Sequence, residues 1–153
     1  MCIIIDTCAF HKVFDPKDKD FSPVKKWISV GKGRLVFGGS KYEKELGQMK
    51  VYLRLVSELS RRGRVIVIDK SKVDADERRV RALEDSPDFD DCHIVAIVET
   101  SGCKVVCTVD SRSDRFITDR KFYVNSSKPK IYRSKSHASL LKESNIAAVC
   151  RRG

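Results

Sequence analysis

Four short apolar runs rich in β-branched residues punctuate this chain: CIII (2–5), RLVF (34–37), RVIVI (64–68) and KVVCT (104–108). Such runs are too short for helices and suit buried strands. Between them lie stretches with helical character, at residues 7–14, 22–30, 40–61, 70–84 and 90–100. In the longest, Leu46, Met49, Leu53, Val56 and Leu59 keep a spacing of three to four, and Gly63 closes it. Ser22 and Pro23 read as N-cap and first helical position of another. Strands alternating with helices predict an α/β protein, a three-layer α/β/α sandwich with a central, mainly parallel sheet. At 153 residues the chain is read as one domain over 1–153. Lys130–Tyr132 reads as an edge strand and Ser136–Glu143 as a last helix; Ile146 to Val149 is apolar and unassigned.

Right-handed crossovers put the C-terminal ends of all parallel strands on one side of the sheet, where ligands of open α/β folds bind. Asp6 directly follows CIII, and Asp110 follows KVVCT. A carboxylate at the end of a buried strand is hard to dismiss as decoration. Two further acidic pairs fall where they can join that edge: Glu43 and Glu45 early in the long helical pattern, and Asp90 and Asp91 before the helix preceding the fourth strand. One acid of each pair is then expected beside Asp6 and Asp110, with Asp114 nearby. Taken alone, Glu43 and Glu45 read as partners of Lys41, Lys44 or Lys50, and Asp90 and Asp91 as ordinary helix-start acids. Together they form a set that only a cation can hold at close quarters, and hard divalent ions take oxygen ligands. The balance of 31 Lys and Arg against 21 Asp and Glu, a net charge of +10, points to a polyanionic partner, nucleic acid first. A metal-filled acidic pocket on a basic protein suits phosphodiester hydrolysis.

Other chemistries fit less well. No apolar run approaches the roughly 20 residues of a membrane span. The start lacks the basic region of a secretory signal, so a cytoplasmic protein is expected. The six cysteines contain no CxxC pair and read as buried reduced thiols rather than a zinc site. GRLVFGGS (33–40) has a Walker A outline, but Gly39 stands where the phosphate-binding Lys is required. Asp6-Thr7-Cys8 lacks the second Asp of a dehalogenase-like phosphatase. His11, His93 and His137 show no triad or metal spacing; His93 reads as structural.

In IIIDT, GGSKYEKEL, DDCHIVAIVETSG and VVCTVDSRSDRF, the chain resembles the PIN-domain ribonucleases. The four segments fall in the family's order over roughly residues 1–120; the tail from about Lys121 is weakly matched. Carried over residue by residue, the resemblance makes Asp6 the first acid, Glu45 the second with Glu43 as alternative, Asp91 the third with Asp90 as alternative, and Asp110 the fourth. Asp114 becomes an additional ligand or water-positioning group. Thr7, Ser40 and Thr108 correspond to the small hydroxyl residues that line such sites. Cys8 departs from the pattern, which often has Asn there. The resemblance implies Mg²⁺- or Mn²⁺-dependent endonucleolytic cleavage of RNA. It also implies service as the toxin of a toxin–antitoxin pair, with an antitoxin protein as partner, and a homodimer.

The basic segment Arg112, Arg115, Arg120 and Lys121, next to Asp110, is expected to grip phosphates, with aromatic residues among its neighbours to stack bases. Arg78 to Arg81 reads instead as a solvated helix face, and Arg61–Arg64 is a further basic group able to reach phosphates. Two alternatives remain. One is a PIN-like RNA-binding module without catalysis, against which the four intact acids argue. The other is a flap-type DNA nuclease, against which the small size argues.

Overall fold

The computed structural model describes residues 2–145 and 147–151; Met1 and Ile146, which belong to the opening run and the unassigned apolar segment, lie outside the described residues. Five strands, β1 (Cys2–Ile5), β2 (Arg34–Gly38), β3 (Val65–Ile68), β4 (Val105–Cys107) and β5 (Lys130–Tyr132), form one sheet in the order β3-β2-β1-β4-β5. Every pairing is parallel, so the sheet is wholly rather than mainly parallel. β1 lies at its centre and all four of its residues are buried, which is why CIII carries no polar side chain.

Helices cover both faces, giving an α/β/α sandwich. α6 (Cys92–Ser101) packs across β1, β2 and β3, with α5 (Lys70–Leu83) against it. Its sequence CHIVAIVETS is apolar nearly all round because it is buried nearly all round, and Gly102, in the left-handed conformation, ends it. On the other face, α2 (Ser22–Ser29) packs on β2 and α4 (Lys50–Arg61) on β3. There Phe10 and Phe14, from α1 (Phe10–Val13) and its end, stack on Tyr52 of α4.

Several elements differ from the sequence reading. The pattern over 40–61 is two helices, α3 (Ser40–Gly47) and α4, because the chain leaves helical geometry at Met49 (φ −108°, ψ 77°). Leu53 is accordingly 40% exposed, while Val56 and Leu59 remain in the core. Ser22 is the first helical residue rather than the cap, and its hydroxyl donates to the Lys19 carbonyl. The stretch read as a last helix is a 3-10 segment, Lys135–Leu140, followed by a second at Glu143–Asn145. The last helix is α8 (Ala148–Arg151). It returns to the start of the sheet, where Cys150 is disulfide-bonded to Cys2 across a sequence separation of 148, and Arg34 donates to the Cys150 carbonyl. The expectation of reduced thiols therefore fails for Cys2 and Cys150, which only tertiary folding brings together; Cys8, Cys92, Cys103 and Cys107 are free.

Candidate active site

From β1 the chain winds outward to β2 and β3, then returns past β1 to β4 and β5. The connections after β1 and β4 thus diverge, opening a crevice at the C-terminal ends of these strands. A cleft of about 690 Å³ lies there. It is lined by six carboxylates, Asp6, Glu45, Asp88, Asp90, Asp91 and Asp110, against only two cations, Arg112 and Arg115. Asp6, Glu45, Asp91 and Asp110, the four acids expected to converge, share this cleft.

Asp6 forms its floor and is only 4% exposed. Its Oδ2 accepts a hydrogen bond from Thr108 Oγ1 at 3.0 Å. Burial pushes its carboxyl above the ordinary range, and the neighbouring Asp91 charge pushes it further. Asp91 sits at the cap position of α6 but does not cap it; its carboxylate accepts from the Ser113 hydroxyl instead.

Glu45 reaches the cleft because β2 turns sharply into α3 at Gly39. There φ is +90° and an added Cβ would meet Val73 at 2.5 Å, so only glycine fits. Thr7 Oγ1 donates to Glu45 Oε2 at 2.7 Å, and His93 Nε2 lies 3.5 Å from the same oxygen. Burial pushes the Glu45 carboxyl up, but the His93 imidazole and Thr7 hydroxyl outweigh it and hold it below its usual value. His93 is 1% exposed, and neither ring nitrogen makes a hydrogen bond of good geometry among the described residues. Asp110, like Glu45, is partly open to solvent. It accepts from the Arg112 backbone at 3.0 Å and from its guanidinium at 3.1 and 3.2 Å, and Arg112 holds its carboxyl below the usual range.

Other expected residues are placed differently. Asp90 lines the cleft, and its carbonyl accepts from the Lys41 ammonium. Glu43 is paired with Lys70 at 3.3 Å, outside the cleft. Ser40 also lies outside, bonding Asp74 through its amide and hydroxyl. Asp114 is held by both terminal nitrogens of Arg133. Thr7 and Thr108 each contact an acid of the set. Of the four basic residues, Arg112 and Arg115 line the cleft, Arg115 lying over the Phe116 ring. Lys121 is paired with Glu84 at 2.8 Å, and Arg120 borders a separate shallow pocket.

The donor set suits a hard divalent ion in chemistry: all-oxygen, with Asp91 close enough for its charge to disfavour the ionised form of Asp6. It is not a closed cage. Among the described residues no three His, Cys, Asp or Glu side chains are grouped to hold a metal ion; Thr7 engages Glu45 and Arg112 engages Asp110. Mg²⁺ keeps several waters and needs only one or two carboxylates, and Asp6 with Asp91 meets that requirement.

Sequence reasoning missed Ser113 and the approach of His93 to Glu45, both products of tertiary folding. Arg78 and Arg81 are exposed, as the reading of a solvated helix face expects. They border a groove of about 860 Å³, with Lys41 and Lys44, that shares Glu45 with the cleft. Cys8, at the lip of the cleft, is no nucleophile at neutral pH: desolvation and the Asp6 charge push its thiol up to about 11. No protein-family model, curated protein or solved structure matches the chain.

Proposed function

We propose that the cleft hydrolyses phosphodiester bonds of RNA as a metal-dependent endonuclease of the PIN-like kind. The observation that carries this reading is Asp6: a nearly fully buried carboxylate at the end of the central strand, set beside the like charge of Asp91 in a cleft of six acids. Maintaining such repulsion costs stability, and a bound cation would offset it. When bound there, Mg²⁺ or Mn²⁺ supplies an activated water and stabilises charge on the phosphoryl oxygens.

The chain's own residues do the rest. Asp6 and Asp91 would hold the ion, and Thr108 and Ser113 fix their carboxylates through hydrogen bonds. Glu45, oriented by Thr7, is ionised and faces the same space, placed to accept a proton from an attacking water. Arg112 and Arg115 offer guanidinium groups at the rim for the phosphates on either side of the scissile bond. The same reading puts the protein in the cytoplasm. The free thiols agree with that, whereas the Cys2–Cys150 bond pulls the other way, since disulfides persist mainly in oxidising compartments.

The test is incubation of a mixed RNA pool with purified protein in Mg²⁺, Mn²⁺ or EDTA, beside Asp6→Asn and Asp91→Asn. Cutting that needs the metal and is lost in both variants is the expected result. RNA that is bound but never cut, equally by wild type and variants, would overturn the catalytic reading in favour of a binding module.

A further inference from the structure

Six of the cleft's eight charged side chains are acidic, so Arg112 and Arg115 alone face a polyanion there and most of this protein's positive charge lies elsewhere. At the opposite, N-terminal edge of the sheet the balance is reversed. The turns that lead into β2 and β3 enclose a pocket of about 720 Å³ lined by Lys32, Arg34, Arg62 and Arg64, with no carboxylate in its lining.

The pocket is preformed. Arg64 donates from Nη1 to the Gly31 carbonyl, tying the two turns together. The Arg64 carbonyl accepts from Leu35 N at 2.8 Å, and its own amide donates to the Leu59 carbonyl at 2.9 Å. Gly33 lies against the face of Trp27, where an added Cβ would come within 2.6 Å of the indole, so this turn has one way to sit. Arg34 is anchored on the Cys150 carbonyl. Two cations are left to engage a ligand. Arg62 is exposed and has no ion-pair partner among the described residues. Lys32 is paired with Glu143 at 2.8 Å, but both side chains are mostly in water, and such pairs exchange partners at little cost.

We propose that this pocket is an exosite for the phosphate backbone of a nucleic-acid strand. The identity of the strand as RNA rests on the reading of the cleft given above; the anion chemistry does not. Guanidinium and ammonium groups converging in a lining without acids, with the exposed Glu143 on Lys32 as the ion pair a phosphate displaces, are what sequence-independent backbone binding uses. β2 separates the two sites by five residues, about 16 Å of strand, with the buried sheet between them. A strand therefore reaches both only by passing around the outside of the protein. The exosite engages long RNA and leaves a dinucleotide in the cleft unaffected.

The test measures fluorescence anisotropy of a long 2′-O-methylated RNA, which resists hydrolysis, with the full-length protein. Lys32→Gln/Arg62→Gln is compared with the charge-conserving Lys32→Arg/Arg62→Lys and with Lys17→Gln, a change at an exposed residue elsewhere. Loss of two phosphate contacts is expected to weaken binding by roughly 10- to 30-fold near 0.1 M salt and to lower the salt slope by about 1.4. The charge-conserving variant and Lys17→Gln should bind as wild type does. Unchanged affinity and slope in the Gln pair, equal loss in Lys17→Gln, or loss in the charge-conserving variant would each overturn the exosite. So would displacement of the RNA by polyglutamate at equal charge concentration, which would assign the pocket to an acidic protein instead. The outcome is separable from that of the cleft: tight binding without cleavage defeats the nuclease and keeps the exosite, and intact cleavage with unchanged binding in the Gln pair does the reverse.

Discussion

Asp6 and Glu99 are both buried carboxylates, 4% and 7% exposed, and the chain treats them in opposite ways. Glu99, on α6, is saturated with donors. It accepts from the amides of Val124, Asn125 and Ser126 at 3.1, 2.7 and 3.2 Å and from the Ser126 hydroxyl at 2.9 Å. Its charge fastens the segment between α7 (Asp114–Ile117) and β5 to the helix layer. Asp6 has the Thr108 hydroxyl, the weak thiol donor of Cys8 and, facing it, another carboxylate. A buried acid used for architecture is fully hydrogen-bonded. One left short of donors and set against a like charge carries strain that a ligand can relieve.

One chemical change made at both sites should therefore give opposite results. Asp6→Asn is expected to reduce RNA cleavage about 1,000-fold, the loss of roughly 4 kcal/mol of transition-state stabilisation. In EDTA it should raise Tm, because it removes the repulsion with Asp91. Glu99→Gln should leave cleavage per folded molecule unchanged and lower stability by about 2–3 kcal/mol in urea, as the amide presents donors to donors. If Asp6→Asn is destabilising, or Glu99→Gln harmless, the contrast between the two acids is wrong.

The contrast also has a pH signature. The folded pKa of Asp6 lies above the ordinary Asp value of 3.8, so between the two the folded state binds the extra proton. Stability conferred by this group is therefore present at low pH and lost as pH rises through the folded pKa. The Tm advantage of Asp6→Asn over wild type, measured in EDTA, should be nil below pH 3.8 and widen to a plateau above the folded pKa. Adding Mg²⁺ at ten times its Kd should then stabilise wild type by about 1.4 kcal/mol and Asp6→Asn hardly at all. Equal stabilisation of both would place the ion elsewhere.

Why Asp6 can be picked from the sequence and Glu99 cannot is a matter of local against long-range pattern. Buried parallel strands must be apolar along their length, so CIII, RLVF, RVIVI and KVVCT announce themselves, and an acid at the end of such a run stands out. Asp110 is legible for the same reason. Glu99 sits in a helix whose burial depends on α5 and on a segment some 25 residues away, and nothing near it marks it as enclosed. The Cys2–Cys150 bond, the capture of Asp114 by Arg133 and the contact of Ser113 with Asp91 are likewise set only when distant segments meet. The split of 40–61 into two helices was hidden differently: Met49 fits the apolar spacing, but the chain bends there so that α3 can present Glu45 while α4 covers β3.

The finest form of the contrast concerns Glu45, which is less buried than either acid and is held by one strong donor. Thr7→Val keeps the shape of the side chain and removes the 2.7 Å hydrogen bond. The Glu45 carboxylate still has solvent and His93 beside it, so the stability cost should be about 1 kcal/mol, well below that of Glu99→Gln. Burial then weighs more heavily, and the Glu45 carboxyl should move upward from its lowered value. If Glu45 takes a proton during cleavage, the acid limb of the pH–rate profile moves upward in Thr7→Val, with the alkaline limb unchanged. A loss of rate that is uniform across pH would make Thr7 a packing residue and remove Glu45 from the proton-transfer step.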